Sequence, residues 1–124
     1  MMNTRKFGII GEKIAQDYLR SKGYKILKSN FYTKMGEIDI IAQKENWIVF
    51  VEVKTRTSLK FGTPAMAVNF NKRQHIKNSA KVFLHINRLE AKEVRFDVIE
   101  IVINGGKCNI NHIEGIMWKT CQKR

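Results

Sequence analysis

The sequence predicts a single α/β domain, a mixed sheet with helices packed on it, from three observations. Two stretches place apolar residues at helical spacing, five short runs alternate or are rich in β-branched residues, and no linker or low-complexity tract divides the chain. At 124 residues the chain suits one domain, residues 1–124, with a hydrophobic core that needs no disulfide or metal staple.

Taken in order, Ile10, Ile14, Ala15, Tyr18 and Leu19 predict a first helix over residues 7–22, closed by Gly23, since glycine accepts the left-handed conformation. Alternation over residues 24–32 predicts a strand less buried than the next two. Those two, GEIDIIAQ from Gly36 and WIVFVEVKT from Trp47, are separated by Lys-Glu-Asn and form a hairpin. With Glu45 and Asn46 as the turn, Lys44 faces Trp47 and Asp39 faces Glu52; a three-residue loop would set Asp39 against Val51. The turn lacks the Asn-Gly signature that would decide between the two.

Residues 56–62 read as a polar, basic loop, and Pro64 with Thr63 as its N-cap predicts a short helical turn. A longer helix spans residues 71–86, with Ile76, Ala80, Phe83 and Leu84 facing the core. A strand over 94–103 and a Gly105-Gly106 turn into a last strand over 108–113 complete the order α-β-β-β-α-β-β.

Charge narrows the partners. The formal net charge is +12, from 23 Lys and Arg against 11 Asp and Glu, and such an excess strains a compact fold unless an anionic partner offsets it. Nucleic acid is favoured over anionic lipid, because no stretch reads as a basic amphipathic anchor. Cys108 and Cys121 lack CxxC spacing, and His75, His85 and His112 are scattered, so neither a zinc knuckle nor a disulfide framework is indicated. A reducing cytoplasm fits best. The apolar stretch near the N-terminus is too short for a signal peptide, and no run approaches the roughly 18 apolar residues of a membrane span.

The chemistry concentrates on W-I-V-F-V-E-V-K-T-R, residues 47–56, where a carboxylate and a lysine interrupt an apolar strand. Glu52 and Lys54 are two apart and project from one face. In the two-residue-turn register Asp39 joins them, and two carboxylates that close repel strongly in a low-dielectric setting. A hard divalent cation resolves this: Mg²⁺ or Mn²⁺ takes one or two carboxylates and fills its other positions with water and substrate phosphate. Such an ion makes water nucleophilic near neutral pH, and Lys54 is placed to orient that water or offset charge developing on phosphorus. Glu12, on the helix face beside Ala15 and Leu19, is a candidate fourth member of the catalytic set and third acidic ligand, although a solvated helix-surface glutamate explains it better from the residues alone. Gly8 and Gly11 beside it leave room for another backbone to approach. The competing explanation is structural: an ion-pair network joining Glu52 to Lys54 or Arg56. Buried ion pairs rarely improve stability over apolar residues, so acids in a β-branched strand point to a site.

These residues carry a resemblance. G-E-I-D-I-I, with V-F-V-E-V-K-T-R after it, resembles the PD-(D/E)xK motif of restriction-endonuclease-like nucleases. More narrowly, with G-I-I-G-E, F-G-T-P and R-F-D-V-I, the chain resembles the YraN family of small bacterial proteins, regarded as related to Holliday junction resolvases. The resemblance spans most of the chain, from about Gly8 to Ile101. It implies a restriction endonuclease-like fold with an α-β-β-β-α-β core, and a metal-dependent endonuclease that hydrolyses phosphodiester bonds in branched or structured DNA. Asp39 then matches the motif aspartate, Glu52 the second acid, Lys54 the lysine and Glu12 a helix glutamate of resolvase-like relatives. Ile38 stands where the motif has proline, which is not a catalytic group. A junction resolvase acts as a symmetric dimer, so a homodimer goes with this reading. The alternative is a catalytically silent nuclease fold that only binds nucleic acid.

Contacts to DNA are expected from Arg56, Thr57, Ser58 and Lys60 on the loop, whose hydroxyls and cations suit phosphates. On the second long helix Arg73, Lys77 and Lys81 share a face, with Lys72 beside it; a solvated helix face explains them equally well. No base-reading module is present, so recognition by charge and shape is expected.

Overall fold

The computed structural model of the chain describes residues 4–57 and 70–115. Helix α1 (Thr4–Ser21) leads into strands β1 (Lys25–Thr33), β2 (Gly36–Lys44) and β3 (Trp47–Arg56); α2 (Phe70–Ile86), β4 (Glu93–Asn104) and β5 (Lys107–Ile113) come after them. The element order is the one expected. The Thr63–Pro64 turn, Ser58, Lys60 and Cys121 lie outside the described residues.

The five strands form one sheet in the order β1-β2-β3-β4-β5. Of its strand pairs, β3–β4 is parallel and the others antiparallel, so the sheet is mixed. A parallel neighbour requires a crossover, which α2 supplies. The strand order therefore places β3 at the centre, which suits its unbroken apolar run.

Each helix end results from its local chemistry. At the end of α1, Tyr24 N donates to Leu19 O and Gly23 N to Arg20 O, both at 3.0 Å, with Gly23 at φ 92°. This is a Schellman closure on the predicted glycine. The same closure ends α2, where Leu89 N donates to Leu84 O and Arg88 takes φ 56° in glycine's place.

The sheet buries both faces. On one, Ala15 and Leu19 of α1 pack on Ile40, Ala42, Val49, Val51, Ile99 and Ile101. On the other, Ile76, Ala80 and Phe83 of α2 pack on Ile38, Ile41, Ile48, Phe50, Phe96 and Val98. Ile14 and Tyr18 support the first layer from partly buried positions, whereas Ile10 is surface-exposed although it shares their helical spacing.

A close approach and a tight turn fix the geometry around β3. A Cβ on Gly11 would collide with Thr55 Oγ1 and lie 2.9 Å from Thr55 Cβ. Gly11 thus lets α1 press on β3, so the approaching neighbour is the protein's own strand, not a nucleic-acid backbone. The β2–β3 turn is the two-residue one: Lys44 pairs with Trp47 and Ile40 with Val51. Glu45 takes φ 57° there, meeting the left-handed requirement of a tight hairpin without glycine.

Candidate acidic site

The hairpin register carries Asp39 and Glu52 toward each other, but the last backbone pair is Ile40 with Val51. Beyond it the Asp39 side chain takes over the ladder: Val53 N donates to Asp39 Oδ2 at 2.8 Å. The strand is also bent here. Ile40 packs on the α1 side and Ile38 on the α2 side, although a regular strand would put both on one face. Across on β1, Asn30 takes φ 52° between the pairs Ser29–Ile40 and Phe31–Ile38. Asp39 therefore sits at a pivot, held by a backbone amide of the central strand.

Glu52 continues the face of Phe50 toward α2 and is 4% exposed. Two ammonium groups reach its Oε2, Lys72 at 2.7 Å and Lys54 at 3.4 Å. Lys54, two residues along β3, stands where the strand period puts it. Lys72, expected at a phosphate, instead projects from the first turn of α2 and lies against Glu52. Burial opposes its charge, but the hydrogen bond and charge of Glu52 outweigh that and raise its pKa.

Asp39 is the most perturbed carboxyl of the group. Burial first and the neighbouring Glu52 second push its pKa up to about 8, against the lowering effect of the Val53 amide. Near neutral pH it holds a proton, as like charges at close range require.

Glu12 approaches from α1. With its amide nitrogen facing the two acids, Asn30 donates to Glu12 Oε1 at 3.1 Å and to Glu37 Oε2 at 2.8 Å. Burial, then Glu37, raises the Glu12 pKa, while the Asn30 bond lowers it and Glu52 adds a smaller push. The structure thus brings Asp39, Glu52, Lys54 and Lys72 together and joins Glu12 to a neighbouring Asn30–Glu37 group. Among the described residues no three His, Cys, Asp or Glu side chains are grouped closely enough to hold a metal. The hard oxygen donors that remain side by side are the carboxyl groups of Asp39 and Glu52.

Glu37 and Asn30 were absent from the expected set. Glu37 had a signal, since it lies two positions from Asp39 in the same strand. Asn30 had none, because a left-handed residue inside a strand leaves no periodic trace.

The expected phosphate-binding residues divide. Arg56 lies over the buried Glu100 at 3.4 Å, and among the described residues neither Arg56 Nε nor Glu100 Oε2 has a hydrogen-bond partner. Of the competing ion-pair network, the Glu52–Lys54 contact is present, whereas Arg56 pairs with Glu100 and Lys72 joins Glu52 instead. Thr57 is exposed, and Arg73 and Lys77 are half-buried on α2.

Fold and site together define a small mixed α/β domain in which a buried, lysine-clamped carboxylate of the central strand, Glu52, stands beside the half-buried Asp39 of the next strand. The model of the uncharacterised protein family UPF0102 matches residues 11–101, and the chain belongs to that family, the one to which the YraN resemblance pointed. A UPF0102 protein of Caldanaerobacter subterraneus subsp. tengcongensis is 47% identical over 94% of this chain and 95% of its own. Another, of Caldicellulosiruptor bescii, is 50% identical over 90% and 94%. A third, of Clostridioides difficile, is 48% identical over 90% and 96%. No helix among the described residues is long and apolar enough to cross a membrane.

Proposed function

We propose that the chain is a Mg²⁺- or Mn²⁺-dependent endonuclease that hydrolyses phosphodiester bonds in branched or otherwise structured DNA. The observation that carries this is the set Asp39, Glu52 and Lys54: a half-buried carboxyl held by the Val53 amide beside a buried carboxylate with a lysine two residues along the strand. A stability-driven design would replace such a pair with apolar residues. Asp39 and Glu52 would hold the ion, which when bound supplies Lewis-acid polarisation of the phosphodiester.

The chain's own residues do the rest. Asp39 would have to release its proton to act as a ligand, and the Val53 amide keeps its Oδ2 oriented. Lys54, partly exposed at the mouth, neutralises charge that builds on phosphorus or orients the attacking water. Lys72 fixes the Glu52 carboxylate from the opposite side. The +12 charge draws the polyanion in, with affinity that falls steeply as salt rises.

A second reading has its own support. Glu52 already holds two lysines and Asp39 already holds an amide, so both acids have partners within the chain. On that reading the protein is a nuclease-like fold that binds nucleic acid and cuts nothing. The experiment that separates them incubates the protein with linear, single-stranded and four-way-junction DNA, with and without Mg²⁺ or Mn²⁺. Metal-dependent cleavage lost in Glu52→Ala and Lys54→Ala, with binding retained, supports the enzyme. No cleavage of any substrate and unchanged binding in both variants would sink it.

A further inference from the structure

We propose that the cavity between the start of α1 and the β1–β2 hairpin binds one unpaired nucleobase bearing an exocyclic amino group, stacked on Tyr32. The cavity, about 330 Å³, is lined by Arg5, Gly8, Glu12, Asn30, Tyr32 and Glu37. It adjoins the acidic site, since Glu12 and Glu37 both act on the Asp39 carboxyl. The inference deepens the nuclease reading and rests on it for the purpose of the pocket, which is to deliver a distorted strand to Asp39 and Glu52.

Three features of the cavity point to a base. Tyr32 is 70% exposed on the edge strand, a large aromatic face left open by the packing of the described residues. An exposed aromatic ring is a stacking platform for bases whose faces are uncovered, and in a duplex they are covered.

Gly8 is the second feature. Glycine inside a helix is destabilising relative to alanine. At Gly11 the pressure of Thr55 explains it, but a Cβ on Gly8 would meet no described atom within 4 Å. No contact among the described residues asks for glycine at position 8, whereas a ligand seated against α1 does.

The third is the polarity of the wall. Glu12 and Glu37 are acceptors joined through the Asn30 amide. Carboxylates exclude a phosphate and accept from the amino group of cytosine or adenine, as acidic side chains do at base edges. Thymine offers no such donor. Arg5 lies at the rim, and its cation suits the flanking phosphate.

The test measures fluorescence anisotropy of labelled oligo-dC, oligo-dA, oligo-dT and a blunt duplex, with full-length protein and no divalent ion. Oligo-dC and oligo-dA should bind more tightly than oligo-dT, and Tyr32→Ala should weaken them about tenfold while leaving duplex affinity unchanged. Tyr32→Trp should retain single-strand binding, and Glu37→Gln should reduce the preference for oligo-dC over oligo-dT. Equal loss on duplex and single strands in Tyr32→Ala, or no loss at all, would overturn the proposal. Tyr32-dependent binding by a protein that cuts nothing with Mn²⁺ upholds the pocket and removes the nuclease. Metal-dependent cutting with binding indifferent to Tyr32 does the reverse.

Discussion

Lys72 Nζ approaches Glu52 Oε2 to 2.7 Å, closer than Lys54 Nζ at 3.4 Å, although Lys54 belongs to the same strand as Glu52. The crossover helix therefore clamps the centre of the sheet through a charge. Lys72→Ala should leave a buried carboxylate with the longer of these two contacts. The cost should be about 1 kcal/mol, at the low end for a charged hydrogen bond, because the Lys72 side chain is 42% exposed and partly screened. Thermal melting reads this directly, and on the proposed function metal-dependent cleavage should fall with it. A lysine that served only as a phosphate contact would leave the melting midpoint unchanged.

The Asp39 carboxyl makes stability depend on pH in an unusual direction. Its folded pKa, about 8, lies above its ordinary value of 3.8. Between those values the native state holds a proton that the unfolded chain has lost. This group's contribution is full below the unfolded pKa and disappears as pH rises through the folded one. The metal-free protein should therefore lose melting temperature from about pH 5 to pH 8 on this account. Asp39→Asn keeps an acceptor for Val53 without a charge, and should flatten that decline and melt higher than wild type at pH 8. Equal pH slopes in the two proteins would refute the assignment.

Mn²⁺ should act at the same carboxyl. An ion that binds only the folded state raises its melting midpoint by mass action, and here it would take the place of the proton that Asp39 holds beside Glu52. At pH 7 the midpoint should rise with Mn²⁺ concentration in wild type and stay flat in Glu52→Ala and Asp39→Asn. An undiminished rise in both variants would place the ion elsewhere.

Much of this fold was legible because period and punctuation agree along the chain. Gly23 closed α1 as expected, and the strand pair on Asp39 and Glu52 took the register that a two-residue turn dictates. The Glu45–Asn46 turn was placed but not decided by the sequence, since its left-handed residue is Glu45 and no Asn-Gly pair announces it. Within the site, Glu52 and Lys54 were visible as charges in an apolar strand. Lys72 was visible as a charge but not as a partner of Glu52, because only the crossover through α2 brings it back over β3. Asn30 and the inversion at Asp39 depend on a local backbone distortion, and no side-chain pattern records one.

Gly8 and Gly11 sit one turn apart on α1 and should respond oppositely to alanine. At Gly11 the new methyl meets Thr55 on the central strand, and overpacking of that kind costs about 1–3 kcal/mol. At Gly8 the methyl enters open space, so the gain in helix propensity should stabilise the protein by about 0.5–1 kcal/mol. Denaturant melts of the two variants give both numbers. Destabilisation by Gly8→Ala would mean that a contact within the chain, not a ligand, requires that glycine.

The α1 face of β4, where Asp97 pairs with Val51 of β3, carries a second carboxylate whose titration runs the other way. Asp97 is fully buried and accepts from Arg95 Nε and Nη2 at 2.9 Å, His112 Nε2 at 2.7 Å and Gly115 N at 3.0 Å. Burial alone would raise its pKa, but the His112 and Arg95 bonds and the Gly115 amide outweigh it and hold it below the ordinary value. Nδ1 of His112 lies 3.1 Å from Tyr18 OH, and this hydrogen bond ties α1 to β5. Stability from Asp97 is present above its unfolded pKa and is lost as pH falls through the folded one. Acid melts should therefore show a steep decline below about pH 4, separate from the Asp39 effect at higher pH. Asp97→Asn turns an amide toward donors inside a buried ion pair, so it should cost about 3–5 kcal/mol at pH 7 and remove that acid decline. Tyr18→Phe deletes the hydrogen bond to His112 and should cost about 1 kcal/mol. Hydrogen exchange would then show α1 opening before β4 in Tyr18→Phe, and simultaneous loss of both would show that the network does not anchor the helix.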